Sequence, residues 1–168
     1  MKYPVRKITV TAVLMAANIV MSSFSVPVPG GHIYLNDVII CTAAILLDPL
    51  CAFMVGGVGA FLGDLVFYPT PMFVSLVTHG LQAVVISLCT RRLFKGREKA
   101  GAIVGVTLGA IIMVAGYTFG RAYIYGTPVD SMLKLPFQIA QAAVGAVCGV
   151  LLCFRFGVKK AFDKIFAE

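Results

Sequence analysis

Gly101-Ala102-Ile103-Val104-Gly105-Val106-Thr107-Leu108-Gly109-Ala110-Ile111-Ile112-Met113-Val114-Ala115-Gly116-Tyr117-Thr118-Phe119-Gly120-Arg121 runs twenty residues without a charge before it reaches Arg121. A helix that crosses a bilayer needs about 20 mostly apolar residues, so this stretch is long enough to span alone. Its surroundings carry the same message: the chain is 60% hydrophobic and only 12% charged over 168 residues. That is too apolar for an ordinary water-soluble domain and about one domain in length. The expected fold is an all-α integral membrane bundle, one domain over residues 1–168, in the cell membrane with lipid as its solvent.

On the N-terminal side of that stretch lies the dense basic run Arg91-Arg92-Leu93-Phe94-Lys95-Gly96-Arg97-Glu98-Lys99, and before it an apolar segment from about Met72 to Thr90. On the C-terminal side, Tyr123 to Lys134 reads as a polar connection and Leu135 to Phe156 as the next span. Further upstream, Tyr68-Pro69-Thr70-Pro71 is a turn, and Asp48-Pro49 opens a helix running to about Phe67, with Asp48 as cap and Pro49 at the first position. Ile8 to Phe24 gives a first helix, ended by the loop Val26-Pro27-Val28-Pro29-Gly30-Gly31. A basic start before an apolar run also resembles a signal peptide, but a retained first helix is the simpler expectation in a chain that is membranous throughout. Val38 to Leu47 is too short to span, even when extended back to Ile33; its polar first turn, capped by Asn36 or Asp37, is expected to lie inside the protein. Six helices result, followed by an amphipathic tail from Val158 to Glu168 on the membrane surface.

An even number of spans puts both termini on one side. Lys2, Arg6, Lys7, Arg91, Arg92, Lys95, Arg97, Lys99, Arg155, Lys159, Lys160 and Lys164 fall on that side, leaving only Arg121 and Lys134 for the other. The positive-inside rule makes the crowded side cytoplasmic. The same pattern accounts for the formal charge of +7 without nucleic acid, whose binders carry their cations on a water-soluble face. Cys41, Cys51, Cys89, Cys148 and Cys153 sit in apolar runs with no CxxC pair, so neither a metal site nor a disulfide framework is expected.

Small residues recur at four-residue spacing: Ala12/Ala16, Gly59/Gly63, Gly101/Gly105/Gly109, Gly116/Gly120 and Gly145/Gly149. Such stripes let helix backbones approach closely in lipid. Spacing alone leaves open whether the partner helix lies in this chain or in another.

Ionisable groups inside a membrane are expensive and therefore functional candidates. Here they are Asp37, Asp64, His79 and Arg121. Ser75, His79 and Gln82 share one face of their helix, as do Gln138 and Gln141. By the topology above, nearly all lie in the outer half and can line one cavity open to the outside. Tyr34, Tyr68, Tyr117, Phe119, Tyr123 and Tyr125 are the aromatic groups available beside it. Amides, a histidine, carboxylates and phenols together suit a small, flat, polar organic solute. The plainer possibility is a structural core in which Asp37 or Asp64 pairs with Arg121 and the glutamines bridge helices. The chain has no HExxH, no GxSxG and no phosphate-binding glycine loop, which disfavours an intramembrane enzyme.

Taken together, these features resemble the substrate-binding S components of energy-coupling factor (ECF) vitamin transporters. The resemblance is carried by Ala12-xxx-Ala16, Gly30-Gly31-His32-Ile33-Tyr34-Leu35-Asn36-Asp37, Gly56-Gly57-Val58-Gly59 leading to Asp64, Gly116-Tyr117, and Leu135-Pro136-Phe137-Gln138-Ile139-Ala140-Gln141. It implies a non-catalytic binding subunit without a cofactor, working with a transmembrane coupling protein and two ATPases. It also implies that Ala12 and Ala16 meet the coupling protein and that the outer loops after helices 1, 3 and 5 gate a pocket. Substrate-binding residues would be Asn36, Asp37, Asp64, His79, Gln82, Tyr117, Arg121, Gln138 and Gln141. The helix 2 and helix 6 motifs look most like the branch for pyridoxine or hydroxymethylpyrimidine, which also has riboflavin and queuosine-precursor members. Gln138 stands where that branch leads one to expect Asn, and Arg121 is an unexpected cation that favours a solute with an acidic or carbonyl group. The competing expectation is a membrane scaffold or assembly protein with a structural polar core.

Overall fold

The computed structural model describes residues 5–29, 31–94 and 96–167. Lys2, Gly30, Lys95 and Glu168, which enter the sequence reading, lie outside the described residues. The elements are α1 (Val5–Ser22), β1 (Ser25–Val28), β2 (Gly31–Tyr34), α2 (Asn36–Leu46), α3 (Pro49–Phe67), α4 (Met72–Leu93), α5 (Glu98–Tyr125), α6 (Pro128–Phe154) and α7 (Val158–Ala167). Among the described residues, α1, α3, α4, α5 and α6 are long and apolar enough to cross a bilayer; α2 is not.

The length of α2 follows from where it sits. Every residue from Ile40 to Leu47 is buried, so α2 is enclosed by the other helices and its polar backbone ends meet protein rather than lipid. An apolar helix buried all round need not match the bilayer thickness. Its N-cap is Leu35 with no side-chain bond, which corrects the expectation that Asn36 or Asp37 caps it: both side chains turn inward and are buried. At the other end, Asp48 caps α3 as expected, its Oδ1 accepting from the N–H groups of Leu50 and Cys51 at 3.1 and 3.3 Å, with Pro49 at the first helical position.

Two segments differ from the sequence reading. Val26–Gly31 was expected to be an irregular loop; instead β1 and β2 pair antiparallel, with Val26 opposite Ile33 and Pro27 opposite His32. A two-stranded ribbon has two open edges, so a proline's missing N–H is tolerated there. The connection 123–134 is mostly helical: α5 continues to Tyr125 and α6 starts at Pro128. Thr127 is the cap, accepting from the Asp130 N–H at 3.2 Å and donating to its carboxylate at 2.6 Å. Thr-Pro-x-Asp is itself a helix-start signal. Pro136 therefore lies inside α6 rather than at its beginning.

The glycine stripes fix the packing. A Cβ on Gly145 would lie 2.5 Å from Cβ of Asp37, and one on Gly149 2.7 Å from Cβ of Cys41, so α6 lies directly on α2. Gly59 and Gly63 receive Asn18 and Ser22 of α1, while Gly105, Gly109, Gly116 and Gly120 receive Ile86, Thr78 and Val74 of α4. These stripes serve contacts within the chain. Ala12 and Ala16 differ: both are exposed on the outer side of α1. Within α3, Met54–Val58 forms a π-turn, which shifts a carbonyl out of the regular ladder. Asn18 Nδ2 donates to Val55 O at 2.7 Å and satisfies it.

One end of the bundle gathers the basic residues. Lys7 pairs with Asp48, Arg91 donates to Leu46 O, Arg6 donates to Ile165 O at 3.0 Å, and Lys159 reaches Glu98 at 3.1 Å. These contacts join the start of α1, the α2–α3 turn, the end of α4, the start of α5 and α7. The tail is an amphipathic helix whose Phe162 packs against the α2-centred core.

Candidate binding site

Toward the opposite end, a cavity is lined by His32, Tyr34, Asn36, Asp64, Tyr68, Pro71, His79, Met113, Tyr117, Arg121, Tyr125, Lys134, Gln138 and Gln141. The hairpin, α2, α3, α4, α5 and α6 each contribute to it. It is almost closed, with about 20 Å³ free for solvent-sized occupants, roughly the room one water needs.

Two polar networks support it. In the first, Asp37 accepts from Gln82 Nε2 at 3.1 Å and from Gln141 Nε2 at 2.6 Å. Those bonds fix both amides, because an ionised carboxylate can only accept. Gln82 Oε1 then faces His79 Nδ1 at 2.7 Å and accepts its proton. In neutral His79 the remaining nitrogen, Nε2, is an acceptor left for the cavity. Gln141 Oε1 accepts the Tyr34 N–H at 3.1 Å, which ties the hairpin to the same network.

In the second network, Ser75 donates to Asp64 and lies 2.5 Å from the Tyr117 hydroxyl. A serine has one proton to give, so Tyr117 donates to Ser75 and keeps its lone pairs available. Gln138 is anchored by its amide nitrogen on Val114 O at 2.8 Å, which leaves its carbonyl to the cavity it lines. Arg121 lies under the hairpin: a Cβ on Gly31 would sit 3.1 Å from its Nη2. Its guanidinium also stacks 5.2 Å from the Tyr125 ring centre. Burial, reinforced by the Asp64 carboxylate, pushes the Tyr34 phenol up to about 12, so Tyr34 stays a neutral donor at physiological pH.

Seven of the nine expected site residues, Asn36, Asp64, His79, Tyr117, Arg121, Gln138 and Gln141, are thus brought to one cavity wall. Asp37 and Gln82 stand behind that wall, where they orient Gln141 and His79. Of the expected aromatics, Tyr34, Tyr68, Tyr117 and Tyr125 line the cavity, whereas Phe119 and Tyr123 pair with each other at 5.1 Å and are exposed.

A model of the ECF-type riboflavin transporter S component matches residues 2–157. The chain belongs to the S components of ECF-type transporters. It is 32% identical over 168 aligned positions to the thiamine precursor transporter HmpT of Lactococcus lactis subsp. cremoris, covering 95% of each chain. It is also 34% identical over 127 residues to an uncharacterized protein of Pyrococcus woesei, covering 74% of this chain and 82% of that one. Together with its long apolar helices, this makes the protein a multi-pass membrane protein of vitamin transport.

Sequence reasoning missed Lys134 and His32 in this S component. Lys134 was counted as an outer-loop cation, yet it is buried and lines the cavity. Its signal was present: Lys134, Gln138 and Gln141 stand at i, i+4 and i+7, one face of a helix, but only if α6 begins before Leu135. His32 had no helical periodicity to reveal it, being set by the hairpin register beside Tyr34 and Tyr68.

Proposed function

We propose that this chain, acting as a single unit, is the high-affinity binding subunit for uptake of a small vitamin or vitamin precursor. It does no chemistry itself and works with a transmembrane coupling protein and two ATPases of an ECF module, which hydrolyse the ATP. The observation that carries this reading is the closed polar cavity, assembled from five helices and the hairpin and held by two networks that fix donors and acceptors in advance. Polar groups pre-set around one shared space are what a selective solute site requires.

Pyridoxine or hydroxymethylpyrimidine is the favoured solute, with riboflavin or a queuosine precursor next. The relative named as a thiamine precursor transporter supports the precursor class, and the family name supports riboflavin. In this reading α2 completes six crossings and both termini are cytoplasmic, supported by the gathering of the basic residues and both described chain ends at the end away from the cavity. The coupling protein docks on the Ala12/Ala16 face, where Ala12, Ile8, Thr11, Met15, Leu50, Cys51 and Met54 form a shallow apolar groove.

The test is purification of the intact chain, mass spectrometry of any solute released on denaturation, and thermal shift against a vitamin panel. A single co-purifying heteroaromatic solute that raises the melting temperature is expected. A chain that carries no solute and responds to no member of the panel sinks the reading.

A further inference from the structure

Resting on that binding reading, a second feature of the cavity bears on the charge of the solute. Lys134 is only 5% exposed and lines the cavity. Among the described residues it has no ion pair and no hydrogen-bond acceptor; its one close partner is the Tyr34 ring, 6.0 Å from Nζ. That distance is at the outer limit of a cation–π contact. Asp37 and Asp64 act on it through space, but neither touches it; their hydrogen bonds come from Gln82 and Gln141 and from Ser75. Arg121 lines the same cavity, so its wall carries two cations and a single carboxylate. A buried ammonium that no acceptor touches is unfavourable, and an anionic group of a ligand would satisfy it. Beside it, the buried Asn36 Oδ1 lacks a donor, as does the His79 acceptor nitrogen in the tautomer set by Gln82.

We propose that Lys134 receives an anionic group, a carboxylate or a phosphate, on a ring-bearing solute whose N–H or O–H donors meet Asn36 and His79. Within the vitamin and vitamin-precursor class, this favours the acidic or phosphorylated form of such a compound over its neutral parent. Lys134 sets that specificity by direct contact, and Arg121 reinforces the positive field beneath the hairpin.

Matched pairs that differ in one anionic group test this on the purified full chain: riboflavin and its 5′-phosphate, hydroxymethylpyrimidine and its phosphate, and pyridoxine and 4-pyridoxate. Equilibrium binding should favour the anionic member of at least one pair by about tenfold or more, the scale of one charge-assisted contact. A phosphate pair or the carboxylate pair responding distinguishes the two sources of charge. Lys134→Met should erase the preference, and Lys134→Arg should keep it. Equal or tighter binding of the neutral member in every pair that binds, or a preference that survives Lys134→Met, overturns the proposal and leaves the binding reading standing. If no member of any pair binds and no solute co-purifies, the binding reading fails and takes this inference with it.

Discussion

Gln141 and Asp37, 104 residues apart in the chain, are joined by a 2.6 Å hydrogen bond from the Gln141 amide nitrogen to Asp37 Oδ2. The bond crosses a close contact between α2 and α6, where Gly145 leaves no room for even a methyl group against Asp37. It makes Asp37 the hub from which two cavity-lining side chains, Gln141 and His79, take their orientation.

Asp37→Asn should therefore act at a distance. The new amide presents a donor where Gln82 and Gln141 also present donors, so one amide must flip, and a flipped Gln82 no longer accepts from His79 Nδ1. Solute affinity should fall by about tenfold or more, on the scale of one hydrogen bond to a charged group. Calorimetric titration beside a thermal melt checks this; unchanged affinity would show that the hub does not reach the site.

Substitutions on the wall itself should be simpler. Asp64→Ala, His79→Ala and Gln141→Ala should each weaken solute binding by about tenfold or more, while membrane insertion and monodispersity in detergent stay as in the wild type. Normal binding by all three variants would place the solute in another cavity.

Much of this was legible in the sequence because the membrane makes polarity conspicuous. Asp64, His79 and Gln138 stand out against apolar neighbours, and helical periodicity alone groups Ser75, His79 and Gln82. What the sequence hid depends on register and on element starts. The hairpin was masked by Pro27 and Pro29, which usually signal irregular chain, and with it the placement of His32 and Tyr34. The early start of α6 was masked by the polar character of 123–134, and with it Lys134. Asn18, which the sequence reading did not single out, donates to a carbonyl in the π-turn of α3. The division between cavity wall and support, with Asp37 and Gln82 in the second rank, is a matter of depth that periodicity does not encode.

The turn between α2 and α3 should show an acid-sensitive stability. Burial alone would raise the Asp48 carboxyl, but the Lys7 ammonium and the Cys51 backbone N–H outweigh it and hold the group below its usual value. A carboxylate depressed in the folded state contributes stability that is fully present above its unfolded value of about 3.9 and is lost as pH falls through the folded value. Melting temperature measured from pH 6 downward should decline more steeply for the wild type than for Asp48→Asn below about pH 4. Parallel curves would mean the pair with Lys7 contributes nothing measurable, the common fate of exposed ion pairs.

Gly145→Ala should lower stability and, by parting α6 from α2, also strain the Gln141–Asp37 bond. The added methyl would meet Asp37 Cβ at 2.5 Å and its backbone carbon at 3.1 Å, so α6 and α2 must separate. Overpacking of this kind costs about 1–3 kcal/mol. A fall in the detergent melting temperature is expected; an unchanged melt would mean that the α2–α6 contact is looser than the geometry states.

The outer face of α1 offers the cleanest separation of binding from transport. Ala12 and Ala16 are exposed one turn apart, whereas the cavity is built by the hairpin and the helices from α2 to α6. A bulky side chain on that face should block the approach of another helix, since small residues are what permit close backbone packing in lipid, yet it touches no group that meets the solute. Ala12→Trp and Ala16→Trp should therefore abolish uptake in cells that express the coupling protein and ATPases, while the purified variants keep wild-type solute affinity. Co-purification of the coupling protein should fall in parallel with uptake. Variants that still transport would move the docking surface elsewhere. Loss of binding together with uptake would indicate that α1, through Asn18 and Ser22 against the glycines of α3, holds the bundle itself rather than a partner.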